Sequence, residues 1–256
     1  MLLVIDVGNT NTVVGVYEEK ILITNWRLST DRNRTIDEYG ILFRNLFTLA
    51  KMDSEKIAGI AISSVVPPLN FTLTKMSELY FGITPYYVDH TSDTGMPIRY
   101  QPETDVGADR IVNSVAAIHH YGAPCIIVDF GTATTFDAVS KDREYLGGVI
   151  TPGLSISAEA LFQRAARLSR VEIKRPDEVI GQTTISSVQS GLYYGYIGLV
   201  DGILHRMIAE LGADTKIIAT GGLAKLIGRG SELIKEIDDD LTLEGLRIIY
   251  EKNSTK

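Results

Sequence analysis

Apolar and polar positions come in blocks from the first residue onward. Leu2, Leu3, Val4 and Ile5 form an unbroken apolar run, Asp6-Val7-Gly8-Asn9-Thr10-Asn11-Thr12 interrupts it, and Val13-Val14-Gly15-Val16-Tyr17 resumes it. Short apolar runs bounded by Gly, Asn and Thr predict two strands joined by a tight turn. A third strand is predicted over 21–28, followed by a polar stretch that ends in a helix cap at Thr35, with Asp37 and Glu38 in the first turn. Ile41, Leu42, Leu46 and Leu49 recur at helical spacing and carry that helix to about Met52. A buried strand over 57–62 and a helix with Pro68 just inside its start, running to about Tyr80, complete an α/β order. An irregular stretch from Val88 to Asp105 then leads to Gly107, where a helix opens with Ile111, Val112, Val115 and Ile118 on one face.

The opening pattern then returns. Cys125-Ile126-Ile127-Val128 run into Asp129-Phe130-Gly131-Thr132-Ala133-Thr134-Thr135, and a second strand follows over 136–139. A duplicated strand–turn–strand frame dictates architecture. It predicts two related α/β domains, 1–115 and 116–256, facing each other across a central cleft. In the second half a strand from Tyr145 ends in the glycine-rich corner Thr151-Pro152-Gly153, and a helix runs from Leu154 to about Ala166. A surface loop extends to Gln182, and a long helix covers 184–211 with an apolar stripe of Ile185, Val188, Leu192, Tyr196, Leu199, Ile203 and Met207. Beside the stripe run Ser187, Gly191, Gly195, Gly198 and Gly202, a ridge of small residues that suits close packing either within the subunit or against another. A strand over 216–220 meets Gly221-Gly222, and the pattern leaves the order of elements after Ser231 open.

Composition narrows the function classes. The 256 residues, 45% hydrophobic and 22% charged, suffice for one large domain or two ordinary ones. A net charge of −7 and no basic run longer than two argue against nucleic acid as the principal ligand. The single cysteine, Cys125, falls in an apolar strand and reads as a core residue. No apolar run approaches the ~20 residues that span a bilayer, and Met1 leads directly into the first strand without a charged leader. The expectation is a cytoplasmic protein with no membrane contact.

The candidate chemistry sits at the turns. A Gly-Asn-Thr turn exposes backbone N–H groups and hydroxyls together, which suits phosphate oxygens. The Asp6 carboxylate would repel a phosphate, so it suggests a bridging cation, most simply Mg²⁺. The same residues also suit a plain hairpin turn with an Asx hydrogen bond. Asp109 and Arg110 fall in the first turn of the helix after Gly107. The helix start would hold Asp109 ionised, as a proton acceptor must be, and an arginine there opposes the helix dipole, which favours a ligand role. Glycines at Gly153 and Gly221 suit either a ligand or close approach of another backbone. No P-loop and no dinucleotide fingerprint is present.

Taken in order, Asp-x-Gly-Asn-Thr-x-Thr, Gly-Ala-Asp-Arg, Asp-x-Gly-Thr-Ala-x-Thr, Gly-Gly-x-Ile-x-Pro-Gly and Thr-Gly-Gly make the chain resemble the type III pantothenate kinases from Asp6 to Gly222. These belong to the superfamily of acetate kinase, sugar kinases, heat-shock chaperones and actin, so the resemblance implies two actin/hexokinase-like (ribonuclease H-like) domains. It implies that Asp6, Val7, Gly8, Asn9, Thr10, Asn11, Thr12 and Val13 form the ATP-phosphate segment with Mg²⁺ near Asp6, and that Thr132 contacts ATP. It further implies that Asp129 holds a monovalent cation, K⁺ or NH₄⁺. Tyr100, Gly107, Ala108, Asp109, Arg110 and Thr184 would contact pantothenate, with Asp109 the catalytic base. A homodimer is implied as well, with the glycine ridge as its seam and Thr184 reaching the partner's pocket. The alternatives are a superfamily kinase acting on another small hydroxyl substrate and a non-catalytic regulator of the same fold.

Overall fold

The computed structural model describes residues 1–165 and 168–254. The opening apolar run folds as β1 (Leu2–Val7), in which Asp6 is the one half-buried position of a buried strand. β2 (Asn11–Glu18) returns antiparallel to it and β3 (Ile21–Ser29) antiparallel to β2. β4 (Gly59–Ser64) and β5 (Tyr86–Tyr87) add in parallel on the other side, giving the order β3-β2-β1-β4-β5. The second half repeats this order. β6 (Cys125–Phe130), β7 (Ala133–Val139) and β8 (Tyr145–Pro152) form the antiparallel part, and β9 (Lys216–Thr220) and β10 (Glu236–Ile237) the parallel part, as β8-β7-β6-β9-β10. The duplication read from two Asp-x-Gly turns is thus a duplication of whole sheets.

Local chemistry sets the helix ends. α1 (Ile36–Leu49) starts in a capping box in which Thr35 and Glu38 satisfy each other's backbone N–H groups. It stops short of Met52 because Lys51 takes a φ of 56°. α2 (Pro67–Phe81) begins on two prolines, whose missing N–H groups cost nothing in the first turn, and ends at Gly82 with φ 69°. α3 (Ala108–His120) opens right after Gly107. α4 (Leu154–Arg164) ends before Ala166, the expected terminus, which lies outside the described residues.

α5 (Thr184–Leu211) has the expected bounds but a different buried face. Gln189, Ser190, Tyr193, Tyr196, Val200, Leu204 and Met207 are buried, whereas Ile185 is 58% exposed. The preceding loop decides this. Its carbonyls at Glu172 and Val179 accept from Gln189 Nε2 (2.9 Å) and Ser190 Oγ (2.5 Å), so two polar residues can face inward at the start of the helix. The glycine ridge stays open: among the described residues, no atom counted as a neighbour lies within 4 Å of a Cβ built on Gly191, Gly195 or Gly198.

Contacts group the chain into two compact units. The first holds Met1–Met96, Tyr100–Ala116 and the segment from Leu241; the second holds Pro97–Arg99 and Ala117–Asp240. The tail therefore differs from the expected division at 115/116. After the short α6 (Ala224–Gly228), α7 (Leu241–Ser254) packs with β1, β2 and β4 of the first unit. Arg247, 2% exposed, lies 5.8 Å over the Tyr17 ring of β2, its charge balanced by Glu244 and Glu251 of its own helix. α7 also braces α3. Thr242 Oγ1 donates to Asn113 Oδ1 at 2.7 Å, and Gly245 lies so close to α3 that a Cβ would come 2.0 Å from the Val112 carbonyl oxygen.

Because that neighbour is backbone, Gly245→Ala must push the two helices apart. We expect a loss of about 3 kcal/mol, the upper end of overpacking costs, in urea denaturation. A stability within about 0.5 kcal/mol of wild type, as for an ordinary surface substitution, would show that α7 is not pressed against α3.

Candidate active site

The first turn is braced from one side. Pairing of Val7 with Thr12 and Asp6 with Val13 leaves residues 8–11 in the loop, closed by Gly8 N–H donating to the Asn11 carbonyl at 3.0 Å. Thr30, just past β3, donates its N–H to the Thr10 carbonyl (2.9 Å) and its hydroxyl to the Gly8 carbonyl (2.7 Å). Arg32 Nη2 donates to Asn9 Oδ1 at 2.9 Å, while Asn9 and Thr10 remain exposed. With its carbonyls engaged from behind, the turn presents a firm polar edge, as phosphate binding asks.

At the base of this turn stands Asp6. Parallel pairing of β1 and β4 sets it beside Ser63, whose fully buried hydroxyl donates to Asp6 Oδ1 at 2.5 Å. Burial raises the Asp6 carboxyl from 3.8 to about 7; Ser63 opposes the rise, the nearby Asp109 charge adds to it, and Arg27 opposes it weakly. A desolvated carboxylate with this hydroxyl support is a hard oxygen ligand that a divalent cation would stabilise. Among the described residues no cluster of three His, Cys, Asp or Glu could cage a metal.

Asp109 occupies the first turn of α3. Its Oδ1 accepts from the Arg110 N–H at 2.8 Å, and Gly107 makes room, since a Cβ there would sit 2.5 Å from that oxygen. Burial raises its carboxyl, and the Arg110 N–H and guanidinium oppose this without reversing it. The helix start alone was expected to keep Asp109 ionised; desolvation outweighs it, which makes Asp109 a stronger base once ionised. Arg110 is 7% exposed and Ala108 8%, whereas Tyr100 is half-buried on the segment leading into α3. The first unit thus brings Asp6 and Asp109 close enough to repel each other.

The second turn lies in the second unit and is one residue tighter. Phe130 pairs with Thr134 and Asp129 with Thr135, so only residues 131–133 are enclosed. Gly131 N–H donates to the Ala133 carbonyl at 3.1 Å, and Gly153, just past β8, donates its N–H to the Thr132 carbonyl at 3.1 Å. Glycine is required at both flanking corners. A Cβ on Gly153 would lie 2.2 Å from the Thr132 carbonyl oxygen. One on Gly221, at φ 92°, would lie 2.4 Å from Asp129 Oδ1. The open choice between ligand contact and backbone approach is thereby accounted for by the backbone at both sites. Thr184 is exposed at the start of α5, on a groove of about 640 Å³ lined by Leu161, Leu168, Thr183, Ser187, Val188 and Leu192.

Sequence reasoning passed over Ser63 and Thr30. Both act through strand pairing with distant residues, and only the turn character of 63–68 and the polar character of 29–35 hinted at them.

A family model described as type III pantothenate kinase matches residues 2–206. A type III pantothenate kinase of Koribacter versatilis is 59% identical, covering 100% of this chain and 97% of that protein. One of Myxococcus xanthus is 57% identical, covering 99% of each. Among solved structures, the activator of the 2-hydroxyisocaproyl-CoA dehydratase from Clostridium difficile superposes with a TM-score of 0.54 at 9% identity, covering 100% of this chain and 97% of that one. At that identity the likeness is one of fold, and the fold is the actin/hexokinase-like one expected.

The Asp6 shift carries a pH signature. Below 3.8 the carboxyl is protonated folded or unfolded; between 3.8 and about 7 the folded protein alone retains the proton. Folded protein therefore binds more protons in that window, and stability falls as pH rises through it. The thermal midpoint of metal-free wild type should decline from about pH 4 to about pH 7, and Asp6→Asn should flatten part of that decline. An identical slope in the variant would remove Asp6 as its source.

Proposed function

This chain belongs to the type III pantothenate kinase family, and on that premise we propose that it transfers the γ-phosphoryl group of ATP to the terminal hydroxyl of pantothenate. The products are ADP and 4′-phosphopantothenate, which opens the route to coenzyme A. The observation that carries the reading is the Asp6–Asp109 pair, a phosphate-turn carboxylate and a helix-start carboxylate brought together by the first unit.

Phosphoryl transfer asks for positioning and charge neutralisation more than covalent chemistry. Residues 6–13 would hold the ATP phosphates, with the exposed Asn9 and Thr10 of the braced turn toward the oxygens. Gly107, Ala108, Arg110 and Tyr100 would seat pantothenate, and Thr132 would contact ATP. Asp109 would take the proton of the attacking hydroxyl as the new oxygen–phosphorus bond forms and the bond to ADP breaks. When bound, Mg²⁺ at Asp6 and K⁺ or NH₄⁺ at Asp129 would offset phosphate charge. ATP as co-substrate goes with a cytoplasmic place of action; no helix among the described residues is long and apolar enough to cross a membrane.

Purified protein should consume ATP only when pantothenate is present and release a phosphorylated product one phosphate heavier. Asp109→Asn should keep nucleotide affinity and lose ~10²-fold or more in turnover, the scale of a general base. Turnover without pantothenate, or wild-type turnover in the variant, would sink the reading.

A homodimer belongs to the same proposal. Each glycine inside a helix costs ~0.8–1 kcal/mol against alanine, and at Gly191, Gly195 and Gly198 of α5 no neighbour among the described residues packs against the space a Cβ would fill. A second copy laid along the ridge supplies the missing contacts, with Thr184 at its end reaching the neighbour's pantothenate site. Gly195→Leu should then sediment as a monomer that binds ATP and binds pantothenate poorly; a dimer with normal pantothenate affinity would take the ridge out of the interface.

A further inference from the structure

The two turns share a frame, and comparing them isolates one side chain. The threonine opposite the last residue of the leading strand is Thr12 in the first copy, facing Val7, and Thr134 in the second, facing Phe130. Each is 1% exposed, so each hydroxyl needs a partner inside the protein. Thr12 Oγ1 finds Thr30 Oγ1 at 2.9 Å, on the residue just past β3. The residue just past β8 is Gly153, where close approach to the Thr132 carbonyl excludes any side chain. Thr134 is met from elsewhere: Tyr196 Oη of α5 lies 2.6 Å from Thr134 Oγ1 and 3.0 Å from the Pro152 carbonyl oxygen. The Tyr196 ring, 6% exposed, is fixed in the core of the second unit. One phenol thus ties the start of β7, which closes the turn of Asp129 and Thr132, to the end of β8, which abuts that turn.

We propose that Tyr196 is a positioning residue for the second Asp-x-Gly turn, setting how tightly that turn engages ATP and its monovalent cation. The inference rests on the proposed roles of Asp129 and Thr132 and assigns them a support that the first turn builds differently. Tyr196 acts through Thr134 and through Pro152-Gly153, whose N–H holds the Thr132 carbonyl at 3.1 Å. Removing the hydroxyl leaves two groups at the turn without that partner while the ring still fills the core. The turn then loses its fixed geometry, and the fold does not lose its packing.

The test measures the KM for ATP and the K⁺ concentration for half-activation in the full-length chain. Tyr196→Phe should raise both about fivefold, about 1 kcal/mol at 1.4 kcal/mol per decade, with kcat moving much less. Thr134→Val, which leaves the Pro152 contact of the phenol in place, should shift both constants in the same direction by less, and the double variant should match Tyr196→Phe. Tyr193→Phe, on the same helix with its hydroxyl over Gly230, should change neither constant. Unchanged constants in Tyr196→Phe, with at most a lower thermal midpoint, would reduce the phenol to packing and overturn the proposal. Equal wild-type activity in Na⁺ and K⁺ would instead refute the cation role of Asp129, and the ATP constant alone would then decide Tyr196. Should pantothenate prove not to be the substrate, the calorimetric Kd for ATP decides in the same direction.

Discussion

A carboxylate held at the end of an otherwise buried strand is the constraint around which the first unit is arranged. Asp6 cannot leave β1 without pulling Leu3, Ile5 and Val7 from the core, and its charge is costly where the strand puts it. Ser63 answers part of that cost from the neighbouring parallel strand, and Asp109 adds to it from α3. The result is a pair of acids that water cannot fully serve, each with its carboxyl raised by burial.

Duplication supplied the frame twice, and the copies then diverged in small, traceable ways. The sheets keep one strand order, and the residue past the third strand braces each turn through its backbone N–H. The first copy places a threonine there and the second a glycine. The second turn, shorter by one residue, sits too close to that corner for a side chain and borrows its hydroxyl from a helix instead. A difference of one residue in loop length thereby goes with a different part of the protein bracing each turn.

Glycine does much of the positioning. At Gly107 it clears space for the Asp109 carboxylate, at Gly221 for Asp129, and at Gly245 for the crossing of α7 over α3. On α5 the case is reversed, since Gly191, Gly195 and Gly198 open onto space that no described residue fills.

Periodicity and turn chemistry determined much on their own: the strands of both hairpins, the N-cap of α1 and the proline start of α2, the bounds of α5 and the internal repeat. Each depends on residues close in sequence, so local rules suffice. The motifs also led to the family and pointed to Asp6, Asp109 and Asp129 as the residues of interest. Tertiary structure alone decided the rest. The return of α7 to the first unit depends on Arg247 meeting Tyr17 and Gly245 meeting Val112, both distant in sequence, and no periodicity records that. The buried face of α5 was set by loop carbonyls at Glu172 and Val179, which made Gln189 and Ser190 acceptable in the core. Ser63 beside Asp6 and Tyr196 beside Thr134 are encounters across 57 and 62 residues. A hydroxyl's partner is chosen by strand register and helix placement, and those exist only once the chain has folded.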